Sequence, residues 1–142
     1  MRVLVPVDGS PASMRALRLA IEQLGDRATS SILVINVQNM ASVGLIEGAG
    51  VMPPAWIEQE EERAGREVLK EAQALCDKVG IPYETRVERG AVAGAIERVA
   101  RHDHINHIVM GTRGLGGVRG LILGSVAAEV LHLVDVPVTF VK

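Results

Sequence analysis

Five short β-branched apolar runs, at residues 3–7, 32–37, 83–87, 107–111 and 136–141, alternate with segments of helical period. This alternation limits the chain more than any other feature. Strands that recur singly, each followed by a helix, cannot close as hairpins. They require crossovers, and crossovers lay helices over a parallel sheet. Right-handed crossovers leave few topologies, of which a doubly wound sheet with helices on both faces is the commonest. The expected class is α/β, in a single domain over residues 1–142. A chain of 142 residues is long enough for one substantial core.

The helical segments carry their own punctuation. Ser10-Pro11 offers an N-cap followed by proline at the first helical position, a stripe of Ala16, Leu17, Ala20, Ile21 and Leu24 follows, and Gly25 closes it. A second helix is expected from about Trp56 to Val79, with Val68, Ala72, Leu75, Cys76 and Val79 on its apolar face. Glu58, Glu60, Glu61 and Glu62 in its first turns read as a solvated start that suits the helix dipole. The third helix buries Val92, Ile96, Val99 and Ala100. The fourth opens at Ser125 and buries Val126, Val130, Leu131 and Val134. Residues 38–55, rich in Gly, Ala and Ser, read as a long mobile loop over one end of the sheet.

Composition excludes several functions. Fifteen basic against seventeen acidic residues give a net charge of −2, so no global positive field is available to hold nucleic acid. Aromatics are 2% (Trp56, Tyr83 and Phe140), too few for the stacking platforms of single-strand binders. The lone Cys76 excludes an internal disulfide and falls on an apolar stripe, which suits a buried, inert thiol. Residues 28–46, the longest uncharged stretch, are too polar to cross a membrane, and the N-terminus reaches a charge too early for a secretory signal. A cytoplasmic location is expected.

Doubly wound sheets bind ligands at the carboxyl ends of their strands, where the strand order reverses. Two loops at such ends stand out. Asp8-Gly9-Ser10 follows the first strand. The segment from Gly111 to Ser125 follows the fourth and holds six glycines in fifteen residues. Glycines there let the backbone approach an anion, and the N–H groups of Ser125 and Val126 point out of a helix N-terminus. Ser125 can cap that helix or lend its hydroxyl to a phosphate, while Arg113 and Arg119 add charge. Glycine-rich turns also serve plain chain reversal, so composition alone leaves a phosphate cradle and a simple turn both open. No Gly-Lys dipeptide, G-x-G-x-x-G after a strand, G-x-S-x-G or H-E-x-x-H occurs, which excludes the Walker, dinucleotide, hydrolase-elbow and zincin motifs.

The pattern Gly111-x2-Gly114-x9-Gly124-Ser125 resembles the G-2x-G-9x-G-(S/T) ATP-binding motif of universal stress proteins. Val5-Pro6-Val7-Asp8-Gly9-Ser10 is similar to that family's first strand and turn, Ile108-Val109-Met110-Gly111 to its fourth strand, and Val136-Pro137-Val138 to its last. The resemblance covers essentially the whole chain. It implies a five-stranded parallel sheet of order 3-2-1-4-5, of the adenine nucleotide alpha hydrolase-like kind, in which both flagged loops meet at one crevice. It further implies that Asp8 accepts the ribose hydroxyls and that Pro6, Val7 and Val37 line an adenine pocket, with the Val37 backbone reading the base. Met110 and Gly111 would pack on the nucleoside, and Gly114, Gly124, Ser125 and Val126 would hold phosphates, with Arg113 adding charge. ATP, ADP or AMP is the implied ligand, with Mg²⁺ bridging phosphates. The chain departs from the family at Gly90-Ala91-Val92-Ala93, which replaces the usual Gly-Asp-Pro-type turn and puts the cap of the third helix in question. Gly116, Gly117 and Gly120 make the loop unusually glycine-rich, implying mobility without ligand.

Other residues invite sharper readings. His102, His104 and His107 fit cap and surface roles better than a metal site, since they straddle a helix end and a strand. Trp56 either anchors the long loop or serves an interface. The last strand, residues 136–142, is an apolar edge. By resemblance it pairs with its mate in a homodimer. The leading expectation is an ATP-binding regulator of the stress-response type with slow or no hydrolysis and a protein partner not named by the sequence. A dimeric adaptor without nucleotide, or an enzyme on adenylated substrates, is the alternative.

Overall fold

Arg2-Val3-Leu4-Val5-Pro6 forms strand β1 (Arg2–Pro6) at the centre of a parallel sheet, because Val3, Leu4 and Val5 bury apolar side chains on both of its faces. The computed structural model describes residues 1–25, 29–39, 52–115 and 123–142. Helix α1 (Pro11–Leu24), strand β2 (Ser31–Gln38), helix α2 (Pro54–Val79) and strand β3 (Tyr83–Arg89) follow in order. Helix α3 (Val92–His102), strand β4 (His107–Gly111), helix α4 (Ser125–Leu133) and strand β5 (Val138–Val141) complete it. The five strands are all parallel, as the alternating pattern implies, and lie in the order β3-β2-β1-β4-β5, as the family resemblance implies. The order reverses between β1 and β4, which puts the chain segments after these two strands side by side.

Alternation along the strands divides the apolar residues between two layers. Val3, Val5, Ile32 and Val34 pack with Leu17, Ile21, Leu69 and Cys76 of α1 and α2. Leu4, Leu33, Ile35, Ile108 and Met110 pack with Ile96, Val99, Ala127 and Val130 of α3 and α4. Ser10 caps α1 through its Oγ, which accepts the Ser13 N–H at 3.2 Å, and Pro11 follows as expected.

Four expectations need correction. The buried stripe of α2 runs through Glu61, Gly65, Leu69, Ala72 and Cys76, and Val79 is 54% exposed in its last turn. The stripe rotates toward Gly65 because that residue meets β3: a Cβ there would stand 2.5 Å and 2.7 Å from the two methyls of Val87. Glu61 is buried and pairs with Arg89 at 3.3 Å, so the acidic start of α2 is not simply solvated. Helix α4 is shorter than expected. It buries Ala127 and Val130, leaves Leu131 exposed, and passes into extended backbone at Val134. Its N-cap is Gly124, with no side-chain cap bond, so Ser125 is the first helical residue and not the cap.

Helix α3 starts after Ala91 without a side-chain cap, the consequence of the Gly-Ala-Val-Ala turn. The long loop ends earlier than expected, since Pro53 caps α2 and Pro54 begins it. Residues 40–51 of that loop, together with Gly116, Gly117, Arg119 and Gly120, lie outside the described residues. Among the described residues no helix is long and apolar enough to cross a membrane.

Candidate functional site

The chain turns sharply after β1. Asp8 Oδ1 accepts the Ser10 N–H at 2.9 Å, Gly9 takes a φ of +82°, and the Asp8 N–H donates to Ser13 Oγ at 3.4 Å. A left-handed φ is costly for other residues, so Gly9 is what lets the carboxylate fold back over the start of α1. Across the crevice Asp8 Oδ2 accepts the Leu115 N–H at 3.2 Å. The half-buried carboxylate is thus held from both loops.

The fourth-strand loop is shaped by close backbone approach. At Gly111 a Cβ would stand 3.1 Å from Ala12 and from the Ser13 nitrogen of α1, and at Gly114 it would stand 2.5 Å from Asp8 Oδ2. At Gly124 it would stand 3.1 Å from the Thr112 carbonyl, which accepts the Gly124 N–H at 2.6 Å. The N-terminus of α4 carries no side-chain cap, leaving its first N–H groups directed outward beside Ser125 and Val126.

Between these loops lies a cavity of about 420 Å³, within the range of roughly 300–1,000 Å³ usual for small-molecule sites. The sequence-derived candidates converge on it: Pro6, Val7, Asp8, Val37, Met110, Gly111, Arg113, Gly114, Gly124, Ser125 and Val126 all line it. Val37 and Met110 give its lining apolar side chains, Asp8 gives it a carboxylate, and Arg113 and the first residues of α4 give it positive charge and N–H donors. An apolar wall, a carboxylate and N–H donors around one cavity suit a ligand with a flat base, a polyhydroxyl and an anionic tail.

Sequence reasoning missed Ser13, Asn36, Val92, Ile96, Thr112 and Ala127 as lining residues. Val92 and Ile96 were legible only as core positions of α3. Asn36 had a signal, a polar residue inside an otherwise aliphatic strand. Thr112 is 5% exposed, and its Oγ1 is a buried atom without a hydrogen-bond partner.

The histidines do not converge. His107 Nε2 bonds Thr139 Oγ1 at 2.8 Å across β4 and β5, His102 lies 3.6 Å from the Asp103 carboxylate, and His104 is exposed with a φ of 51°. Among the described residues no group of three His, Cys, Asp or Glu is placed to hold a metal. Cys76 is fully buried, and that burial, with Asp77 nearby, pushes its thiol up to about 11. It stays protonated and unreactive at neutral pH. Trp56 is partly exposed in the first turn of α2.

Known proteins share this fold. The model of the universal stress protein family matches residues 1–142. The universal stress protein YxiE of Bacillus subtilis (strain 168) is 29% identical over 145 residues, covering 99% of this chain and 98% of its own. Among solved structures, the hypothetical protein MJ0577 shares the fold, with a TM-score of 0.83 at 18% identity over 99% of this chain and 94% of that one. The universal stress protein from Archaeoglobus fulgidus in complex with dAMP is 25% identical with a TM-score of 0.66, over 100% of this chain and 98% of that one.

Proposed function

The chain belongs to the universal stress protein family, and we propose on that premise that the crevice between β1 and β4 binds an adenine nucleotide, with ATP the working ligand. The observation that carries this reading is the convergence of Asp8 and the uncapped N-terminus of α4 on one cavity with an apolar wall. The dAMP held by the Archaeoglobus fulgidus relative supports the ligand class.

The residues fit the group in three respects. Val37 and Met110 offer apolar contact to a base, and Asp8 offers acceptors to the sugar hydroxyls. At Gly124 a side chain would fill the cradle into which phosphate must come, and the N–H groups of Ser125 and Val126 supply donors. Arg113 is exposed at the rim and adds charge to the phosphate tail. Mg²⁺, when bound, neutralises phosphate charge. The site supplies at most Asp8 as a carboxylate, so the ion would rest mainly on phosphate oxygens and water.

Both oxygens of Asp8 already accept backbone N–H groups. A carboxylate so engaged is better suited to orient a sugar than to take a proton from attacking water. We therefore read the nucleotide as a conformational ligand of a cytoplasmic, stress-related regulatory protein, with slow or no hydrolysis. The half-buried edge strand β5 is the surface through which two copies, each a single domain, would pair, and the protein that responds to the loaded state is a separate partner.

The test is direct. The purified protein is denatured and the released small molecules are identified by mass spectrometry, followed by titration of the apo protein with Mg-ATP. About one adenine nucleotide per chain, or saturable binding of Mg-ATP, is the expected result. Failure of both would leave a dimeric adaptor without nucleotide, and multiple turnover would establish an enzyme on adenylated substrates.

A further inference from the structure

Asn36 is a polar residue in the wall of the crevice to which the nucleotide reading gives no task. It is 3% exposed, at the end of an aliphatic strand, and its amide is engaged at both ends. Nδ2 donates to the Val7 carbonyl at 2.8 Å, and Oδ1 accepts Gln38 Nε2 at 2.7 Å. We propose that Asn36 is the positioning residue that keeps the peptide edge of Val37 turned into the crevice, and so sets which purine the site accepts. This rests on the nucleotide reading above.

The argument follows the ladder between β1 and β2. In a parallel strand, successive residues direct their peptide groups to alternate neighbours. Ser31 donates to the Met1 carbonyl at 3.0 Å, and the Ile35 carbonyl accepts the Val7 N–H at 2.8 Å, so odd positions of β2 face β1. Ile32 donates to Pro82 at 3.1 Å, and the Gln38 carbonyl accepts Gly90 at 3.0 Å, so even positions face β3. The next rung toward β1 would carry the Val37 N–H to the Val7 carbonyl. The Asn36 side chain takes that carbonyl in its place. Strand β1 has already ended at Pro6, so the N–H and C=O of Val37 are aimed at the space beyond it, where Val37 lines the cavity.

An N–H donor beside a C=O acceptor complements the edge of adenine, which presents a ring-nitrogen acceptor beside an exocyclic amine donor. Hypoxanthine presents a ring N–H beside a carbonyl, the reverse order, and is refused by the same edge. Losing the Asn36 amide would let the Val37 N–H close the rung onto Val7, turning the edge away from the base. The Val7 carbonyl also belongs to the peptide whose nitrogen is that of Asp8, so Asn36 steadies the turn carrying the carboxylate.

The experiment is calorimetric titration of the full chain with AMP and with IMP, for the wild type, Asn36→Leu and Gln38→Leu. The wild type is expected to prefer AMP by about tenfold or more, the scale of a purine edge read by paired hydrogen bonds. In Asn36→Leu that preference falls toward unity, and in Gln38→Leu, which keeps the Asn36 donor but frees its oxygen, it falls part of the way. A purely structural asparagine would lower the melting temperature and leave the AMP:IMP ratio untouched, which overturns the proposal. So does a wild type that binds both nucleotides equally. Should Asn36→Leu fail to fold, Gln38→Leu decides alone: a reduced ratio supports the proposal and an unchanged ratio overturns it. A wild type that binds neither nucleotide overturns the nucleotide reading itself, a different result from a bound nucleotide with unchanged preference.

Discussion

The Asp8 carboxylate accepts the backbone N–H of Leu115 at 3.2 Å, joining the turn after β1 to the turn after β4 across the mouth of the crevice. The neighbouring Gly114 has no room for a side chain, because its Cβ would stand 2.5 Å from the same oxygen. Gly114→Ala should therefore displace the carboxylate and lower AMP affinity by about tenfold, equivalent to about 1.4 kcal/mol. Its melting temperature should stay close to wild type, since the glycine is exposed. Asp8→Ala should weaken AMP, ADP and ATP alike by about 1–3 kcal/mol, the scale of a lost charged hydrogen bond. Calorimetric titration checks both. Unaltered affinity in Asp8→Ala would remove the sugar role from this residue.

Gly124→Val places methyls against the Thr112 carbonyl at the start of α4. ATP affinity should fall by about a hundredfold, or about 2.7 kcal/mol. Adenosine, which lacks phosphates, should lose little. Comparing the two ligands by titration locates the defect. An equal loss for both would mean that the loop shapes the base end as well.

Gly65 is the packing contact between α2 and β3, and it lies beside Asn36. Gly65→Ala drives a methyl into Val87 and crowds Asn36 Oδ1 at 3.2 Å. A cost of about 1–3 kcal/mol is expected from overpacking. Val87→Ala in the same chain should recover much of it. Urea unfolding of the two single variants and the double variant measures the coupling. Additive losses would show that α2 and β3 are not pressed together here.

Asp103 gives a pH dependence. Its carboxyl is held below the usual carboxylate range, first by hydrogen bonds from Arg86 at 2.9 Å and 3.0 Å and then by the charges of Arg86 and Arg2. Because the folded-state pKa lies below the unfolded value of about 3.9, the contribution is fully present above that value. It fades as pH falls through the lower, folded-state pKa. Asp103→Asn should cost about 1–2 kcal/mol near pH 7, the scale of a charge-assisted hydrogen bond, and should flatten the acid limb of a stability–pH profile. An unchanged acid limb would assign that region to other carboxylates.

The element order was legible because its signals are local: β-branched runs, a proline after a serine cap at Ser10-Pro11, and glycines at helix ends. Asp8 and the 111–125 loop were legible because spacing along the chain maps directly onto strand ends in a doubly wound sheet. What escaped was decided across space. Glu61 reads as a surface residue until Arg89, on a different element, arrives to pair with it. Val79 has the right hydropathy for the α2 stripe, but the helix rolls toward β3 because Gly65 permits the closer approach to Val87. Ser125 has the right chemistry for a cap, yet the extended backbone of Gly124 claims that position. Asn36 was visible as an oddity in β2, but its meaning depends on Val7, 29 residues away.

The two apolar layers bear unequally on the crevice. Val92, Ile96, Met110 and Ala127 are at once its wall and part of the α3–α4 layer, whereas the interior of the α1–α2 layer, from Leu17 to Cys76, does not reach it. A molecule lodged there leans mainly on the α3–α4 flank, with Val7, Ser13 and Asn36 its lining on the other. Filling the crevice is therefore expected to slow amide exchange more on the α3–α4 side than in the interior of the α1–α2 layer. Leu131 and Leu133, the exposed apolar residues of α4, lie on that α3–α4 side. On that expectation, a partner touching them would meet a surface whose firmness, more than its outline, reports whether the crevice is filled.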